Sequence, residues 1–172
     1  MFNYKKEFNE IIYDIEKNET VQQMKNFRQH YDTSCYKHCK NVAYYSYRIC
    51  KALHLDYVSM ARGAMLHDLF LYDWRVSDPN RKGFHGTQHP KIAYNNASKL
   101  FDLNDKEKDI ILKHMWPVTF TPPKYAESFI ITLTDKYSAT LETFRGIKKY
   151  RLPKLYRYAY VFVSFLVLRI IL

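Results

Sequence analysis

Glycine is nearly missing from this sequence, with four in 172 residues. An all-β domain turns tightly many times and draws on glycine for those turns. The shortage therefore points away from sandwiches and barrels and toward helices. Cysteine is sparse and odd in number (Cys35, Cys39, Cys50), which argues against a disulfide scaffold. The opening stretch, MFNYKKEFNEIIYDIEKNE, is too charged for a secretory h-region. These absences predict a reducing, cytoplasmic setting. Acidic residues stop at Glu142. Beyond it stand Arg145, Lys148, Lys149, Arg151, Lys154, Arg157 and Arg169, which account for most of the net charge of +10. The body is close to neutral, so nucleic acid is not the expected partner. No apolar run reaches the roughly 20 residues of a membrane-spanning helix. The longest, YAYVFVSFLVLRIIL, is interrupted by Arg169. Internal repeats and low-complexity linkers are also missing.

What is present is helical periodicity in a chain long enough for a core, 47% apolar and 26% charged. Residues 4–17 place Phe8, Ile11, Ile12 and Ile15 at helical spacing. Thr20 is a candidate cap for a second helix, and Asp32, Thr33 or Ser34 for a third running to about Leu53. A fourth helix is expected from about Tyr57 to Tyr72. Residues 73–88 read as a loop with an Asp-Pro-Asn turn, and loops of that length are often functional. Pro90 suits the first turn of a helix ending near Phe101. The sequence NDKE at 104–107 forms a capping box for the next helix, to about Met115, and a long helix is expected over 124–144. The expected organisation is N-terminal helices (1–29) packed on a core domain (30–145), followed by a basic and apolar tail (146–172). The tail has two open readings. It is a helix buried in the domain or in a homodimer, or a peripheral membrane anchor whose basic residues face anionic lipid.

One stretch sets a problem. AMLHDLFLYDW, at 64–74, is suited to burial yet carries His67 and Asp68 at its centre. A buried carboxylate without a partner costs several kcal/mol. His38, His89, His114 and Asp135 repeat the pattern, each a ligand-type residue in a helical segment with an apolar face. In helical bundles such positions converge on metal sites, and a cation there would let Asp68 stay ionised.

The order His38 (YKHCKNVA), His67-Asp68 (AMLHDLF), His89 (HPKIA), His114 (ILKHMWP) and Asp135 (LTDKYSA) resembles the HD superfamily of metal-dependent phosphohydrolases. The resemblance covers about residues 30–145. It is closest to a small, stand-alone bacterial HD family that shares features like HDLFLYDW, HGTQHP, KHMWP and TDKYSA. It implies an all-α HD-domain helical bundle with a metal centre in its core. By that resemblance His38, His67, Asp68 and Asp135 hold one metal. Asp68 bridges to a second held by His89 and His114, as in HD-GYP cyclic dinucleotide phosphodiesterases and bacterial HD hydrolases of dinucleoside polyphosphates. Imidazole and carboxylate suit divalent Fe, Mn, Zn, Co or Ni. Such a pair activates a water for attack on phosphorus.

Two departures matter. Many HD phosphohydrolases carry a lysine three residues after the HD aspartate, where this chain has Leu71. The Gly-Tyr-Pro motif is replaced by KHMWPVTFTPP, which argues against a cyclic dinucleotide phosphodiesterase. Candidates for the missing lysine are Arg75, Arg81, Lys82 and His85 in the loop, and Lys136 beside Asp135. His85, four residues before His89, reads equally as a ligand, an acid or a solvent-facing loop residue. Trp74 and Trp116 either stack on a base or pack; His30 lines the cleft or does not; His54 reads as an ordinary helix-end residue. Cys35, Cys39 and Cys50 read as a packed helix face, because CYKHC lacks the partner pair a structural zinc needs. The expected function is hydrolysis of a phosphate ester of a nucleotide or similar small substrate by a metal-activated water, with Asp68, His85, Arg75 and Lys136 as catalytic candidates. The alternative is a catalytically weak or inactive HD module that binds metal or nucleotide as a regulator, with a membrane surface as one candidate setting.

Overall fold

The computed structural model describes residues 3–76 and 83–149. Eight α-helices make up nearly all the regular structure of those residues: α1 (Tyr4–Ile11), α2 (Tyr13–Lys17), α3 (Glu19–Gln23), α4 (Cys35–Ala52), α5 (Tyr57–Leu66), α6 (His85–Leu100), α7 (Asp105–Lys113) and α8 (Ala126–Lys149). The all-α expectation holds, with one addition. A two-stranded antiparallel hairpin, β1 (Arg28–His30) and β2 (Thr33–Ser34), precedes α4. Tyr31 sits at its tip with a φ of 49°.

Local chemistry sets the helix ends. Asn18, not Thr20, caps α3 through its side chain, accepting from the backbone of Thr20 and Val21. Ser34 caps α4. The Asn104/Glu107 capping box opens α7 with both reciprocal hydrogen bonds present. Three expected boundaries are corrected. The first helix breaks at Ile12 into α1 and α2. The helix expected to reach Tyr72 ends at Leu66, so His67 and Asp68 occupy a turn rather than mid-helix. Side chains and turn bonds capture the carbonyls there. The His67 ring Nδ1–H donates to Ala64 O at 2.7 Å, Leu69 N to Leu66 O at 3.1 Å, and Asn96 Nδ2 to Leu69 O at 2.9 Å. Finally, α6 starts at His85, so Pro90 lies inside it and His89 does not open it.

The core lies between α4, α5, α7 and α8, with Phe8, Ile12, Ile15 and Val21 closing one side. Cys35, Cys39 and Cys50 are buried in it as free thiols, as a packed face requires. Helices α5 and α7 approach closely at Gly63, where an added Cβ would meet Ile110 at 3.0 Å and the Glu107 Cα at 3.2 Å. Arg62 ties three elements together. It grips Asp14 of α2 with both terminal nitrogens (2.7 and 2.9 Å) and Glu107 of α7 through Nε (3.1 Å). Helices α4 and α8 run antiparallel: Ser46 meets Thr134 at 2.5 Å, His38 meets Glu142 at 2.9 Å, and Asp56 N donates to Glu127 at 3.0 Å. No helix among the described residues is long and apolar enough to cross a membrane. Arg81 and Lys82, and the tail from residue 150 onward, lie outside the described residues.

Candidate metal centre

Five elements deliver one cluster. The Ser34 cap fixes where α4 begins, which puts His38 on the buried face of its first turns. The turn after α5 supplies His67 and Asp68, α6 supplies His89, the C-cap of α7 is His114, and α8 supplies Asp135. All six are buried.

The rings are aimed by their outer nitrogens. Nδ1–H of His67 donates to Ala64 O (2.7 Å), that of His89 to His85 O (2.9 Å), and that of His114 to Ile111 O (2.8 Å). Nδ1 of His38 donates to the Glu142 carboxylate at 2.9 Å. Each Nε2 points inward, the orientation in which histidine, once that nitrogen has lost its proton, binds metals. His38 Nε2 lies 3.0 Å from Asp135 Oδ1, and His67 Nε2 lies 3.8 Å from the same oxygen and 3.5 Å from Asp68 Oδ2. On the other side, Asp68 Oδ1 is 3.1 Å from His89 Nε2 and 3.4 Å from His114 Nε2, and those two nitrogens are 2.8 Å apart. Asp68 therefore faces two groups of acceptors, one through each carboxylate oxygen.

Acceptors crowded together in this way fit a cation. His67 Nε2 and Asp68 Oδ1 are buried and make no hydrogen bond among the described residues. Elsewhere buried polar atoms of this kind are almost always paired. The charge balance agrees. Burial works against a proton on His38, but Asp135 and Glu142 outweigh it and raise its pKa well above the usual value. Burial is likewise outweighed at His67, by Asp68 and the groups around it. Asp68 and Asp135 are held well below the usual carboxylate range against their burial, by the imidazoles around them. His114 is pushed down to about 4, chiefly by burial. The cluster demands positive charge, and either protons or metal can provide it. Groups of three potential ligands, with ligating atoms within 4.8 Å of one another, include His38–His67–Asp68, His67–His114–Asp135 and Asp68–His89–His114.

A cavity of about 590 Å³ opens onto the cluster, and its walls include Gln29, His30, Asp68, Trp74, His85 and Lys136. The His85 ring lies between the Trp74 ring (centroids 5.4 Å, 15°) and the His89 ring (4.6 Å, 22°), and the Tyr72 hydroxyl meets its Nδ1 at 3.1 Å. Lys136 Nζ donates to Trp116 O (3.2 Å) and Thr132 O (3.1 Å), and burial lowers its pKa. Arg75 sits apart, at the surface, paired with Asp73 and absent from the cavity wall. Trp116 packs edge-on against Phe129. His54 is at the α4–α5 corner with a φ of 56°, and Leu71 packs against the core.

Two residues were not read from the sequence. Glu142 orients His38 and also accepts from Asn41 at 3.0 Å. Its position seven residues after Asp135, two helical turns along one face, was the available signal. Gln29 donates to Asp68 Oδ2 at 2.6 Å from the hairpin, and no pattern in the sequence marks it.

The family model of the HD domain matches residues 35–140, more than half of the chain. No curated protein matches the chain, and neither does any solved structure. HD domains are mostly metal-dependent hydrolases and bind divalent metals. The matched span runs from the first residue of α4 into α8 and takes in all six residues of the cluster, so the chain belongs to the HD-domain family.

Proposed function

We propose that this chain is a metal-dependent phosphohydrolase of a small phosphorylated substrate, a nucleotide-sized phosphate ester. The observation that carries this reading is the pair of acceptor groups on the two oxygens of Asp68, at the floor of a cavity of about 590 Å³. That volume is in the range of small-molecule sites, ~300–1,000 Å³. His38, His67, Asp68 and Asp135 would hold one divalent transition metal, and Asp68, His89 and His114 a second. When bound, the metals supply an activated water and neutralise phosphoryl charge.

The protein's own residues do the rest. Asp68 and Asp135 stay ionised through their imidazole partners. The backbone carbonyls at Ala64, His85 and Ile111 keep three rings turned inward. Lys136 lines the cavity and donates two of its three N–H groups to carbonyls, and the third would meet a phosphate oxygen there. It takes over the charge that Leu71 does not provide. His85, stacked on Trp74, flanks the same wall and is placed to orient the leaving group. Trp74 offers a face for a base.

The test is metal content followed by phosphate release. Protein purified anaerobically is expected to hold two transition metals per chain and to release phosphate from one or more nucleotides. Metal without turnover across a broad panel of phosphate esters would favour the regulatory reading. No metal after reconstitution with iron, manganese or zinc would overturn both. A narrower prediction concerns Glu142. Glu142→Gln keeps a hydrogen-bond acceptor for His38 but removes the charge behind the ring. It is expected to weaken metal affinity about 10-fold or more, measured by chelator competition, with little change in fold. An unchanged affinity would remove Glu142 from the metal-tuning role.

A further inference from the structure

Helix α8 is polar on its inside and apolar on its outside, the reverse of an ordinary surface helix. Glu127, Thr134, Asp135, Ser138 and Glu142 are all buried. Phe129, Leu133 and Tyr137, one turn apart on the other side, are 43%, 43% and 57% exposed. The metal centre accounts for the inward polarity but not for the apolar exterior. Helix α4 widens the strip. Tyr137 packs edge-on against Tyr45 at 6.2 Å. Continued along the antiparallel helices, the level of that Tyr45–Tyr137 contact places Ile49 beside Leu133 and Leu53 beside Phe129. Ile49 and Leu53 are also exposed. The result is a contiguous apolar face two residues wide and about 12 Å long, and patches of this kind are often contact sites.

We propose that this face is the docking site of the chain's own segment 158–172, YAYVFVSFLVLRIIL. Two apolar surfaces in one chain, each costly in water, are satisfied by one contact. The reach is adequate. Tyr137 and Leu133 stand about 18 and 24 Å back along α8 from Lys149 at helical rise. The chain beyond Lys149 is long enough to return over either distance, at about 1.5 Å per residue even in its most contracted regular form. In sequence, Arg151, Lys154 and Arg157 precede the apolar run, and Arg169 lies within it. Tethering gives the segment an effective concentration of order mM at the face, which favours it over the same segment of a second copy. Docking would brace α4 against α8, the pair that aligns His38 with Asp135.

Hydrogen exchange on the full chain, read by mass spectrometry, tests this. Peptides from 158–172 are expected to exchange at least about 10-fold slower than an open chain. The protection should be equal at low and high protein concentration, with a monomer mass in sedimentation. Leu133→Asp on α8 and Ile49→Asp on α4 should each abolish it while exchange in α5 stays as in the wild type. If one variant also loosens α5, the other variant and the concentration series decide. Protection that grows with concentration alongside a dimer mass would overturn the proposal in favour of a second copy. Protection seen only with anionic lipid vesicles would overturn it in favour of a membrane surface. An unprotected segment under every condition would show that it does not cover the face.

Discussion

Asp68→Ala is expected to leave the purified chain with no bound transition metal, against two in the wild type, and to reduce phosphate release by more than about 10³-fold. The size of the effect follows from position. Each carboxylate oxygen of Asp68 faces a different set of imidazole nitrogens, at 3.5 Å on one side and 3.1 and 3.4 Å on the other. Among the described residues no other carboxylate lies within ion-pair distance of imidazoles of both sets, so its loss would remove the shared ligand and the negative charge that offsets two cations. Loss of His89 or His114 alone should remove one metal and spare the other. The two outcomes are separated by elemental analysis. Metal loading of the wild type should also release protons, because His38 and His67 hold theirs well above the usual imidazole range without metal. Affinity must therefore fall as pH falls. An Asp68→Ala protein that keeps two metals would overturn the assignment of the bridge.

The second large effect is structural. Arg62→Ala is expected to destabilise the fold by about 3 kcal/mol at neutral pH, toward the lower end for a broken buried pair because Arg62 is partly exposed. For a chain of this length that is a Tm loss of about 6–12 °C. The reason is Glu107, which is 3% exposed and loses its only cationic partner among the interactions described for it. The pH dependence has a definite sign. Burial raises the Glu107 pKa above its usual value, against its bond to the Asn104 N–H and the charge of Arg62. The folded chain thus holds that proton more tightly than the unfolded one, and the associated stability is lost as pH rises through the folded pKa. Removing Arg62 raises that pKa further. The cost of Arg62→Ala should be largest at neutral pH and shrink on acidification, and Glu107→Gln added to it should recover much of the loss. Thermal unfolding of the wild type, the Arg62→Ala and Glu107→Gln single variants and the double variant across that range checks this. A cost independent of pH would mean that Arg62 acts through packing alone, because Asp14, whose carboxyl the Arg62 hydrogen bonds hold below its usual range, would titrate as well.

The buried cluster was legible because polar residue types stand out in apolar segments. His38, His67, Asp68, His89, His114 and Asp135 have few other reasons to sit in apolar segments, and all six converge. Ends of elements were less legible. The apolar run through His67 and Asp68 continues to Tyr72, so periodicity gives no stop. The chain turns there because the His67 ring and Asn96, the latter distant in sequence, take up backbone carbonyls. Pro90 misled in the opposite sense, since proline favours a first helical turn but is found here inside α6. The hairpin at 28–34 is too short to show alternation, which is why Gln29 went unread. The capping box at 104–107 was legible because both of its partners lie within four residues.

The bonds that aim the histidines have a consequence for variation in this architecture. His67, His89 and His114 each tie their ring to a carbonyl three or four residues earlier, within a single turn. The direction of each ring is thus encoded locally and does not depend on the connections between helices. Those connections can lengthen, shorten or change composition while the inward nitrogens keep their aim. The connection after α5 does shape one wall above the cluster, where Trp74 stands. His85 belongs to both parts: its ring flanks that wall, and its carbonyl aims the His89 ring.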